Sequence, residues 1–410
     1  ARVTQTLLPD AEWLSHPGLI AVIDALRTPK GNARLVGGAV RDSLLGLAVS
    51  DIDLATPLLP KDVIDRLEAK RIKAVPTGIE HGTITAVSHD KTFEVTTLRR
   101  DVSTDGRRAT VEFSENWAED AARRDFTINA LYADPETREI YDYFSGQVDL
   151  EKGLVRFIGD AEARIAEDHL RILRFFRFYA RFGRNDPDNC ALQACSKAAS
   201  SLMALSRERI ADELIKLLSL SHPETSIALM CQGGIFSAFL PEIATDASAR
   251  LVQLIKRENS AHALPNAGRR LNAILPEDVA IVETVAARLK LSNRLRTELA
   301  ARLTDCKPSS TDARALAYRL GINLARDLFL LHGDESTWMT GYAALDGWEP
   351  PAFPIKGGQL VEKGLDAGPL VAKTLQAIER QWIEEGFPDA NRAAEIADQA
   401  VVTALSLRNA

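Results

Sequence analysis

The 410-residue sequence predicts an α+β protein, with an N-terminal mixed-sheet domain followed by an elongated all-helical region. Three observations support this class. Residues 33–155 contain short β-rich segments separated by Gly, Asp and Pro, with two helical stretches among them. After Gly159 almost every segment has the periodicity of an amphipathic helix. The composition, 46% hydrophobic and 26% charged, is typical of a folded globular protein and excludes disordered, collagen-like and coiled-coil chains.

The first part of the chain begins with a predicted helix over residues 11–28, in which apolar residues recur at helical spacing. β-rich segments follow at 33–38, 51–56, 82–88, 92–98, 109–113 and 139–144. Helical stretches at 60–73 and 118–133 lie between them. Helices mixed with strands in this order predict an α+β or mixed-sheet domain.

The rest of the chain is predicted to be helical. The predicted helices span 160–182, 190–204, 206–220, 223–239, 245–257, 276–290, 293–304, 311–320, 322–331, 369–386 and 391–407. A turn cluster begins at Asn266, and a Pro- and Gly-rich break at 347–358 precedes the last two helices. At roughly 100–200 residues per domain, the whole length predicts two to four domains.

Charge and cysteine content restrict the function classes. The formal net charge of −7 argues against a globally basic nucleic-acid binder, and by itself it favours a metabolic enzyme. The four cysteines form no C-x-x-C pair and are expected to be reduced thiols. No apolar run is long enough to span a membrane and no secretory signal is visible, so a cytoplasmic protein is expected.

A Gly-Gly turn is the first motif that suggests chemistry. A predicted strand runs into Gly37 and Gly38 at the start of a helix, where backbone N–H groups can bind an anion. Arg41 adds a guanidinium group suited to phosphate. No Walker-type phosphate loop is present. Taken alone, the Gly-Gly turn is better explained by an ordinary strand-to-helix turn with an exposed arginine.

Carboxylates that alternate with apolar residues form the second motif. In a strand, Asp51 and Asp53 point to one face while Ile52 and Leu54 face the core. Glu94, in the segment at 92–98, is expected on the same face. Adjacent carboxylates repel unless a divalent cation lies between them, and three that converge suit two Mg²⁺ ions. Carboxylates on a solvated strand are the alternative explanation.

Paired arginines precede Asp125 in the segment Arg123-Arg124-Asp125. Arginine side chains of this kind suit contacts with a triphosphate, and the polar residues that follow suit contacts with a ribose. A surface arginine pair is the alternative explanation.

Asp168 and three arginines lie at steps of three within the predicted helix at 160–182. Each step drifts by about 60° around the helix, so Asp168, Arg171 and Arg174 should share a face, with Arg177 further round. The apolar residues between them predict burial, and the arginines are therefore expected to line an internal cleft. A salt-bridged amphipathic helix is the alternative.

The order of these motifs resembles the class II tRNA nucleotidyltransferase and poly(A) polymerase family. The motifs are GGAVRD at 37–42, DID at 51–53, EVTTL at 94–98, RRDFTINAL at 123–131 and EDHLRILRFFRF at 167–178. The resemblance is strong over about residues 33–240 and implies a polymerase-β-like nucleotidyltransferase domain. It implies a catalytic head over 1–158, a neck for base recognition and RNA binding over 159–240, a body over 241–345 and a tRNA-binding tail over 346–410.

The resemblance also implies roles for individual residues. Asp51 and Asp53 would bind the catalytic Mg²⁺, and Glu94 would be the third catalytic carboxylate. The residues that would hold the triphosphate and ribose are Gly37, Gly38, Arg41, Arg124 and Asp125. The residues that would read the incoming base, or lie near it, are Asp168, Arg171, Arg174 and Arg177.

Base reading by a carboxylate and a guanidinium is chemically consistent with CTP and ATP as substrates. Cytosine and adenine each present an amino donor beside a ring-nitrogen acceptor, which complements Asp168 as acceptor and Arg171 as donor. Guanine and uracil present a carbonyl acceptor and an N–H donor instead. The pair therefore predicts selection of C and A without a nucleic-acid template.

The activity that the resemblance implies is addition of CCA to the 3′ end of tRNA from CTP and ATP, with release of pyrophosphate. Poly(A) polymerase and partial CC- or A-adding enzymes are the nearest alternatives. A catalytically inactive RNA-binding scaffold is the alternative from another class. The pattern at 99–108 is similar to a flexible loop of full CCA-adding members, and the sequence indicates no particular oligomeric state.

Positive charge is concentrated in one part of the helical region. Between Arg288 and Arg326 there are nine Lys or Arg residues and three acidic ones. This stretch is a candidate for contact with the tRNA backbone. Charge reversal at Arg294 and Arg296 is therefore expected to raise KM for tRNA and to flatten its salt dependence.

Overall fold

The computed structural model describes residues 6–104, 109–303 and 308–408. The chain divides into two compact units. The first unit extends to Ser248 and includes Thr284–Leu291, and the second comprises Ala249–Glu283 and the chain from Ser292 onward. All strands within the described ranges belong to the first unit. This order of a sheet domain and a helical region confirms the predicted α+β class.

The strands of the described residues form a seven-stranded mixed sheet and a separate two-stranded ladder. The strands are β1 (Arg34–Val36), β2 (Asp53–Thr56), β3 (Lys73–Gly78), β4 (Thr83–Ser88), β5 (Lys91–Thr97), β6 (Arg99–Thr104), β7 (Ala109–Phe113), β8 (Leu131–Ala133) and β9 (Ile140–Asp142). The large sheet has the order β3-β4-β5-β2-β1-β8-β9, and β6 pairs with β7. Residues 105–108, part of the predicted flexible loop, lie outside the described residues.

Short and medium-length helices make up most of the remaining structure. The earlier helices are α1 (Pro17–Leu26), α2 (Gly38–Leu44), α3 (Pro60–Ala69), α4 (Trp117–Ala122), α5 (Gly146–Lys152), α6 (Ala161–Glu167), α7 (Arg171–Phe182), α8 (Asn189–Lys197), α9 (Arg207–Leu218) and α10 (Glu224–Gln232). The later helices are α11 (Ala247–Ser260), α12 (Ala267–Ile274), α13 (Val279–Arg288), α14 (Asn293–Ala301), α15 (Ala313–Leu320), α16 (Ile322–His332), α17 (Trp338–Ala343), α18 (Gly357–Glu362), α19 (Pro369–Glu384) and α20 (Ala390–Arg408).

Single 3₁₀ turns connect several of these helices and strands. They span Glu12–Ser15, Ile79–His81, Thr127–Asn129, Ala199–Ala204, Ile235–Ala238 and Ser310–Asp312. Within the described ranges, no helix is long and apolar enough to cross a membrane. Cys190, Cys195 and Cys231 carry free thiols, as expected.

The two faces of the large sheet bury different clusters. On one face Leu54 and Val95 pack in a core that α1 and α3 complete. On the other face Val36, Ala55 and Tyr132 form a smaller cluster. Because successive strand residues point to opposite faces, polar residues that alternate with the large core point to the smaller cluster.

The predicted helix over 118–133 is wrong beyond its first turns. α4 ends at Ala122, and the chain continues through the 3₁₀ turn at Thr127–Asn129 into β8. The Asp125 carboxylate accepts a hydrogen bond from the N–H of Phe126 at 2.8 Å. A local bond of this kind competes with helical hydrogen bonding.

Three strands have no clear signal in the sequence. β3 contains Pro76, which argues against a strand, but β3 lies at the sheet edge where proline is tolerated. β8 has only three residues, all buried, and therefore shows no polar–apolar alternation. β6 falls in the segment that was compared with a flexible loop. The helices α5, α12, α17 and α18 are also too short to show a helical period.

Gly146 at the start of α5 leaves no room for a side chain. A Cβ at this buried position would lie 2.2 Å from the carbonyl oxygen of Thr127. We therefore expect Gly146→Ala to lower the free energy of unfolding by about 2 kcal/mol, because the backbone around Thr127 must move. Urea unfolding followed by circular dichroism measures this. Gly358→Ala is the control, since its Cβ would meet nothing within 4 Å. An equal effect at both positions would contradict the expectation.

Candidate active site

Two carboxylates lie side by side on central strands of the large sheet. Asp53 opens β2 and is paired with Glu94 of β5 in a parallel register. Phe93 and Val95 are buried in the main core, so Glu94 points to the opposite face. Leu54 is buried in the same core, and Asp53 therefore shares the face of Glu94. Neighbouring strands are about 4.8 Å apart, which makes the two side chains direct neighbours.

Asp51 lies immediately before β2, with buried Ile52 between it and Asp53. The predicted alternation of the two aspartates with a buried residue is therefore present, although the strand begins only at Asp53. Burial is the main cause that raises the pKa of Asp53 to about 6. The carboxylates of Glu94 and Asp51 add to this, and Arg124 opposes it. The aspartate thus lies among charges of both signs.

The three carboxylates do not form a metal site by the positions of their side chains alone. Within the described ranges, no group of three or more His, Cys, Asp or Glu side chains is placed to hold a metal ion. The predicted convergence of Asp51, Asp53 and Glu94 on Mg²⁺ therefore stays a prediction. Convergence of three is not required for Mg²⁺, which proteins usually bind through one or two carboxylates together with substrate phosphates and water.

The Gly-Gly turn brings the backbone close to Arg124. Gly37 has φ 67° and ψ −119°, a conformation that glycine adopts freely and residues with a side chain do not. Its N–H donates to the carbonyl of Leu131 at 3.0 Å, and a Cβ on Gly37 would lie 3.8 Å from Arg124 Nη1. Gly38 begins α2 directly after this turn. The turn and the guanidinium therefore belong to one site.

Asp120 and Tyr132 hold Arg124 in place. Arg124 Nε donates to Tyr132 Oη at 3.1 Å, and Nη2 donates to Asp120 Oδ2 at 3.2 Å. Tyr132 Oη donates to the same carboxylate at 2.6 Å. Burial by itself raises the pKa of Asp120, but Arg124, Arg123 and Tyr132 together lower it to about 2. Asp120 is therefore a buried anion that fixes two arginines, of which Arg124 acts on Asp53.

Arg41 is engaged within the protein instead of being exposed. Its side chain is buried, Nε donates to Asp42 at 2.8 Å, and Nη1 donates to Asn129 Oδ1. The guanidinium carbon lies 4.3 Å from the ring centre of Phe182. Asp42 also accepts from Arg181 at 3.1 Å. A direct phosphate contact of Arg41 stays a prediction, and its observed contacts tie α2 to α7.

Asp125 joins the arginine-pair motif to α7. Its Oδ1 accepts from Asn129 Nδ2 at 3.0 Å, and its Oδ2 accepts from Arg174 Nε at 2.7 Å. Burial alone raises the pKa of Asp125, but Arg174, Asn129 and the N–H of Phe126 lower it to about 2. Because Asn129 also binds Arg41, a continuous chain of hydrogen bonds connects three of the predicted motifs.

Glu213 of α9 extends this chain of contacts. Arg177 Nε donates to Glu213 Oε2 at 2.6 Å, and Arg174 Nη1 lies 3.9 Å from Oε1. Glu213 is buried on the same helix face as Ile210 and Leu217. An acidic residue at helical spacing within an apolar face was the available signal, since such a carboxylate requires a buried partner.

The predicted helix over 160–182 is interrupted at Asp168. α6 ends at Glu167, Asp168 has extended backbone angles of φ −148° and ψ 107°, and α7 begins only at Arg171. The Asp168 carboxylate accepts from the N–H of Leu170 at 3.1 Å, a local turn that replaces helical bonds. The expectation that Asp168 shares a helical face with Arg171 and Arg174 is therefore wrong.

Arg209 of α9, and not Arg171, pairs with Asp168. Arg209 Nη2 lies 3.0 Å from Oδ2 and 3.3 Å from Oδ1 of that carboxylate. The Arg171 guanidinium instead donates to Glu167 and to the backbone carbonyls of residues 164 and 123. A carboxylate acceptor beside a guanidinium donor is present as expected, but the donor comes from another helix.

Two family descriptions match the first unit. The Poly A polymerase head domain matches residues 33–156, and the probable RNA and SrmB- binding site of polymerase A matches residues 188–246. CCA tRNA nucleotidyltransferase 1, mitochondrial, of Homo sapiens is 33% identical over 397 residues, which cover 92% of this chain and 89% of that protein. The CCA-adding enzyme of Limosilactobacillus fermentum is 31% identical over 365 residues, 86% of this chain and 88% of that protein.

The chain belongs to the CCA tRNA nucleotidyltransferase family. The crystal structure of the Bacillus stearothermophilus CCA-adding enzyme in complex with CTP has a TM-score of 0.69 and 26% identity, and it covers 96% of this chain and 98% of that chain. The Thermotoga maritima CCA-adding enzyme complexed with tRNA shares the fold, with a TM-score of 0.69 at 22% identity over 90% and 91% of the two chains. The predicted family, enzyme class and fold are confirmed.

Asp120 should stabilise this nucleotidyltransferase in a pH-dependent way. Its pKa is about 2 in the folded protein and about 4 in an unfolded chain, so it stabilises the fold above pH 4 and stops doing so as pH falls toward 2. We expect Asp120→Asn to cost about 2 kcal/mol at pH 7, and the difference from the unaltered protein to shrink below pH 4.

Urea unfolding at pH 7, 5 and 3 measures this difference. The exposed Asp65 of α3 supplies the control Asp65→Asn, which should change the unfolding free energy little at any pH. A difference for Asp120→Asn that does not vary with pH would show that the carboxylate charge is not the cause.

Proposed function

We propose that this protein adds CCA to the 3′ end of tRNA from CTP and ATP and releases pyrophosphate. The observation that carries the proposal is the pairing of Asp53 with Glu94 on adjacent parallel strands, beside Arg124 and the Gly37 turn. Carboxylates next to a guanidinium and an open backbone turn suit a nucleoside triphosphate whose charge must be held during attack by a hydroxyl group.

Asp51 and Asp53 are the proposed ligands of a divalent cation, Mg²⁺. Their hard oxygen donors suit this ion. Burial is the main cause of the raised pKa of Asp53, and the repulsion from Glu94 and Asp51 that adds to it is the kind that a cation relieves. When bound, Mg²⁺ would supply activation of the attacking 3′-hydroxyl and stabilisation of the pyrophosphate. Glu94, directly beside Asp53, would add negative charge that strengthens the site.

The proposed triphosphate site combines direct contacts with residues that position them. Arg124 and the turn at Gly37 and Gly38 would contact phosphate oxygens. Asp120 and Tyr132 keep the Arg124 guanidinium fixed, which lowers the entropic cost of its contact in the complex. Asp125 and Arg41 are both hydrogen-bonded to Asn129, and they would act indirectly by holding Asn129 and α7 in position.

Base selection is proposed to rest on Asp168 with an arginine donor. Arg209 is the observed partner of Asp168, and Arg171 lies one turn away at the start of α7. Arg174 and Arg177 are held by Asp125 and Glu213, so their proposed role is to keep α7 in position. A fixed acceptor–donor pair complements cytosine and adenine and opposes guanine and uracil.

One assay separates the proposed activity from its rivals. The purified protein is incubated with a tRNA that ends at the base preceding CCA, together with CTP, ATP and Mg²⁺, and the products are sequenced. Addition of CCA supports the proposal. A long A tail would identify a poly(A) polymerase, and addition of CC or A alone would identify a partial enzyme. If no RNA is extended, the protein is the inactive scaffold.

The proposed subdivision into head (1–158), neck (159–240), body (241–345) and tail (346–410) accompanies this function. Localisation in the cytoplasm also stays a prediction, because the Homo sapiens and Mus musculus relatives carry mitochondrial names.

Replacement of Asp53 tests the catalytic site. Asp53→Asn keeps the shape of the side chain and removes its charge, so we expect incorporation of CMP to fall at least about 100-fold, because the metal and the triphosphate lose their main anionic partner. Initial rates of CMP incorporation measure the effect. The exposed Asp62 supplies the control Asp62→Asn, which should retain activity. Retention of activity by Asp53→Asn would refute the assignment.

Replacement of Asp168 tests base selection. Asp168→Asn replaces an obligate acceptor with an amide that can also donate, so we expect the preference for CTP over UTP to fall about tenfold or more. The ratio of kcat/KM values for the two nucleotides measures the preference. Asp186→Asn, at an exposed position, is the control. An equal loss of rate for both nucleotides, with the ratio unchanged, would assign Asp168 a structural role only.

A further inference from the structure

An arginine-lined pocket lies within the second unit, and none of its lining residues belongs to the candidate active site. It has a volume of about 910 Å³ and is formed by the segment before α12 together with α14 and α16. The charged residues that line it in the described part of the chain are Arg269, Arg294, Arg302, Arg326, Glu298 and Asp327. Arginines therefore outnumber carboxylates two to one among these residues.

Arg302 lines this pocket and has an unused hydrogen-bond donor. Its side chain is only 5% exposed. Nε donates to Asp327 Oδ2 at 2.7 Å, and Nη2 lies 3.7 Å from Glu298 Oε2. Nη1 is buried and has no hydrogen-bond partner among the residues that the structure describes. Asp327 is itself shared, because it also accepts from Arg269 at 2.7 Å.

Arg326 on α16 shows the same feature at the same pocket. Its Nη2 donates to Asp346 at 2.6 Å, while its Nε is buried and likewise has no partner within the described ranges. Buried donors are nearly always satisfied in folded proteins, and charged donors are the most costly to leave unsatisfied. Two residues that line one pocket thus each have an unsatisfied guanidinium N–H group, and the excess of arginines over carboxylates there favours an added anion.

The missing acceptor should be an anion with several oxygens. A phosphate group can accept from two guanidinium groups at once and adds the charge that the pocket requires. A carbonyl or hydroxyl group would satisfy one N–H group without changing the charge. The observations therefore favour a phosphate.

We propose that this pocket binds a backbone phosphate of the tRNA substrate, an inference that rests on the proposed function. Arg294, whose side chain is 89% exposed, lies at the pocket and belongs to the basic stretch between Arg288 and Arg326. A volume of about 910 Å³ also leaves room for the adjoining ribose, which a site for one free phosphate does not need. Contacts of this kind position the RNA and carry no sequence information.

The expectation from the sequence treats Arg294 and Arg296 alike, whereas the pocket includes Arg294 and not Arg296. Arg296 therefore distinguishes binding in the pocket from general attraction by the basic stretch. Arg296 is about half exposed, is paired with Glu283 and does not line the pocket. Arg257 is a second useful comparison, because it is buried in the same unit, also has an unpartnered Nε within the described residues, and does not line the pocket.

The test measures binding of full-length variants to a tRNA transcript that lacks CCA, without nucleotide, at several KCl concentrations. Arg302→Gln, Arg326→Gln and Arg294→Gln should each weaken binding about 3- to 10-fold and reduce the slope of log affinity against log salt by about one. KM for CTP should not change. Arg296→Gln and Arg257→Gln should bind nearly as the unaltered protein does.

Three results would overturn the proposal. The first is unchanged tRNA binding in folded pocket variants, and the second is an equal effect of Arg296→Gln. The third is stabilisation of the protein by inorganic phosphate that the pocket variants abolish without any loss of tRNA binding, which would indicate a free-anion site. Circular dichroism checks folding. If Arg302→Gln does not fold, the exposed Arg294 and the partly exposed Arg326 still decide the question.

Failure of the proposed function is distinguishable from failure of this inference. A protein that binds tRNA through the pocket but extends no RNA would refute CCA addition and leave the phosphate site standing. A protein that adds CCA normally in all pocket variants, with unchanged KM for tRNA, would refute the site and leave the function standing.

Discussion

Pairing of buried charges is the constraint on which the first unit depends. Asp125, Glu213 and Asp120 are almost fully buried, and each is paired with at least one arginine. A buried ion that loses its partner is strongly destabilising, because its desolvation is no longer compensated. The chain must therefore bring α2, the segment after α4, α7 and α9 together in one arrangement to satisfy these groups. Because this arrangement is required, the side chains of the candidate site are held in defined positions.

The same network explains why several predicted ligand residues are not exposed. Arg41 and Arg174 are occupied by Asp42, Asn129 and Asp125, so they support the site from behind. Arg124 differs, since Asp120 and Tyr132 hold its guanidinium on the face of Asp53. The arginines of the candidate site therefore differ in position: Arg124 lies on the face of Asp53, while Arg41 and Arg174 are taken up by other side chains of the protein.

The arginines of the candidate active site and those of the pocket in the second unit differ in their partners. At the candidate site, carboxylates and amide oxygens take up the guanidinium groups of the network. At the pocket, Arg302 and Arg326 each retain an N–H group without a partner among the described residues. Arg207 and Arg257 also have such a group but do not line the pocket, so it is the basic lining that distinguishes the pocket from other places with an unsatisfied arginine. The negative net charge of the whole chain conceals this local distribution.

Residue type and local periodicity were sufficient to predict the α+β class, most strands of the sheet, and the position of Asp53 and Glu94 on the same face of it. These features depend on the alternation of neighbours along one strand, which is visible in the linear chain. The partner of Asp168, Arg209, and the partner of Arg177, Glu213, depend on α9 meeting α7 and the residues before it. Contacts between residues some forty positions apart leave no local pattern, so only the tertiary structure could decide which arginine faces which acid.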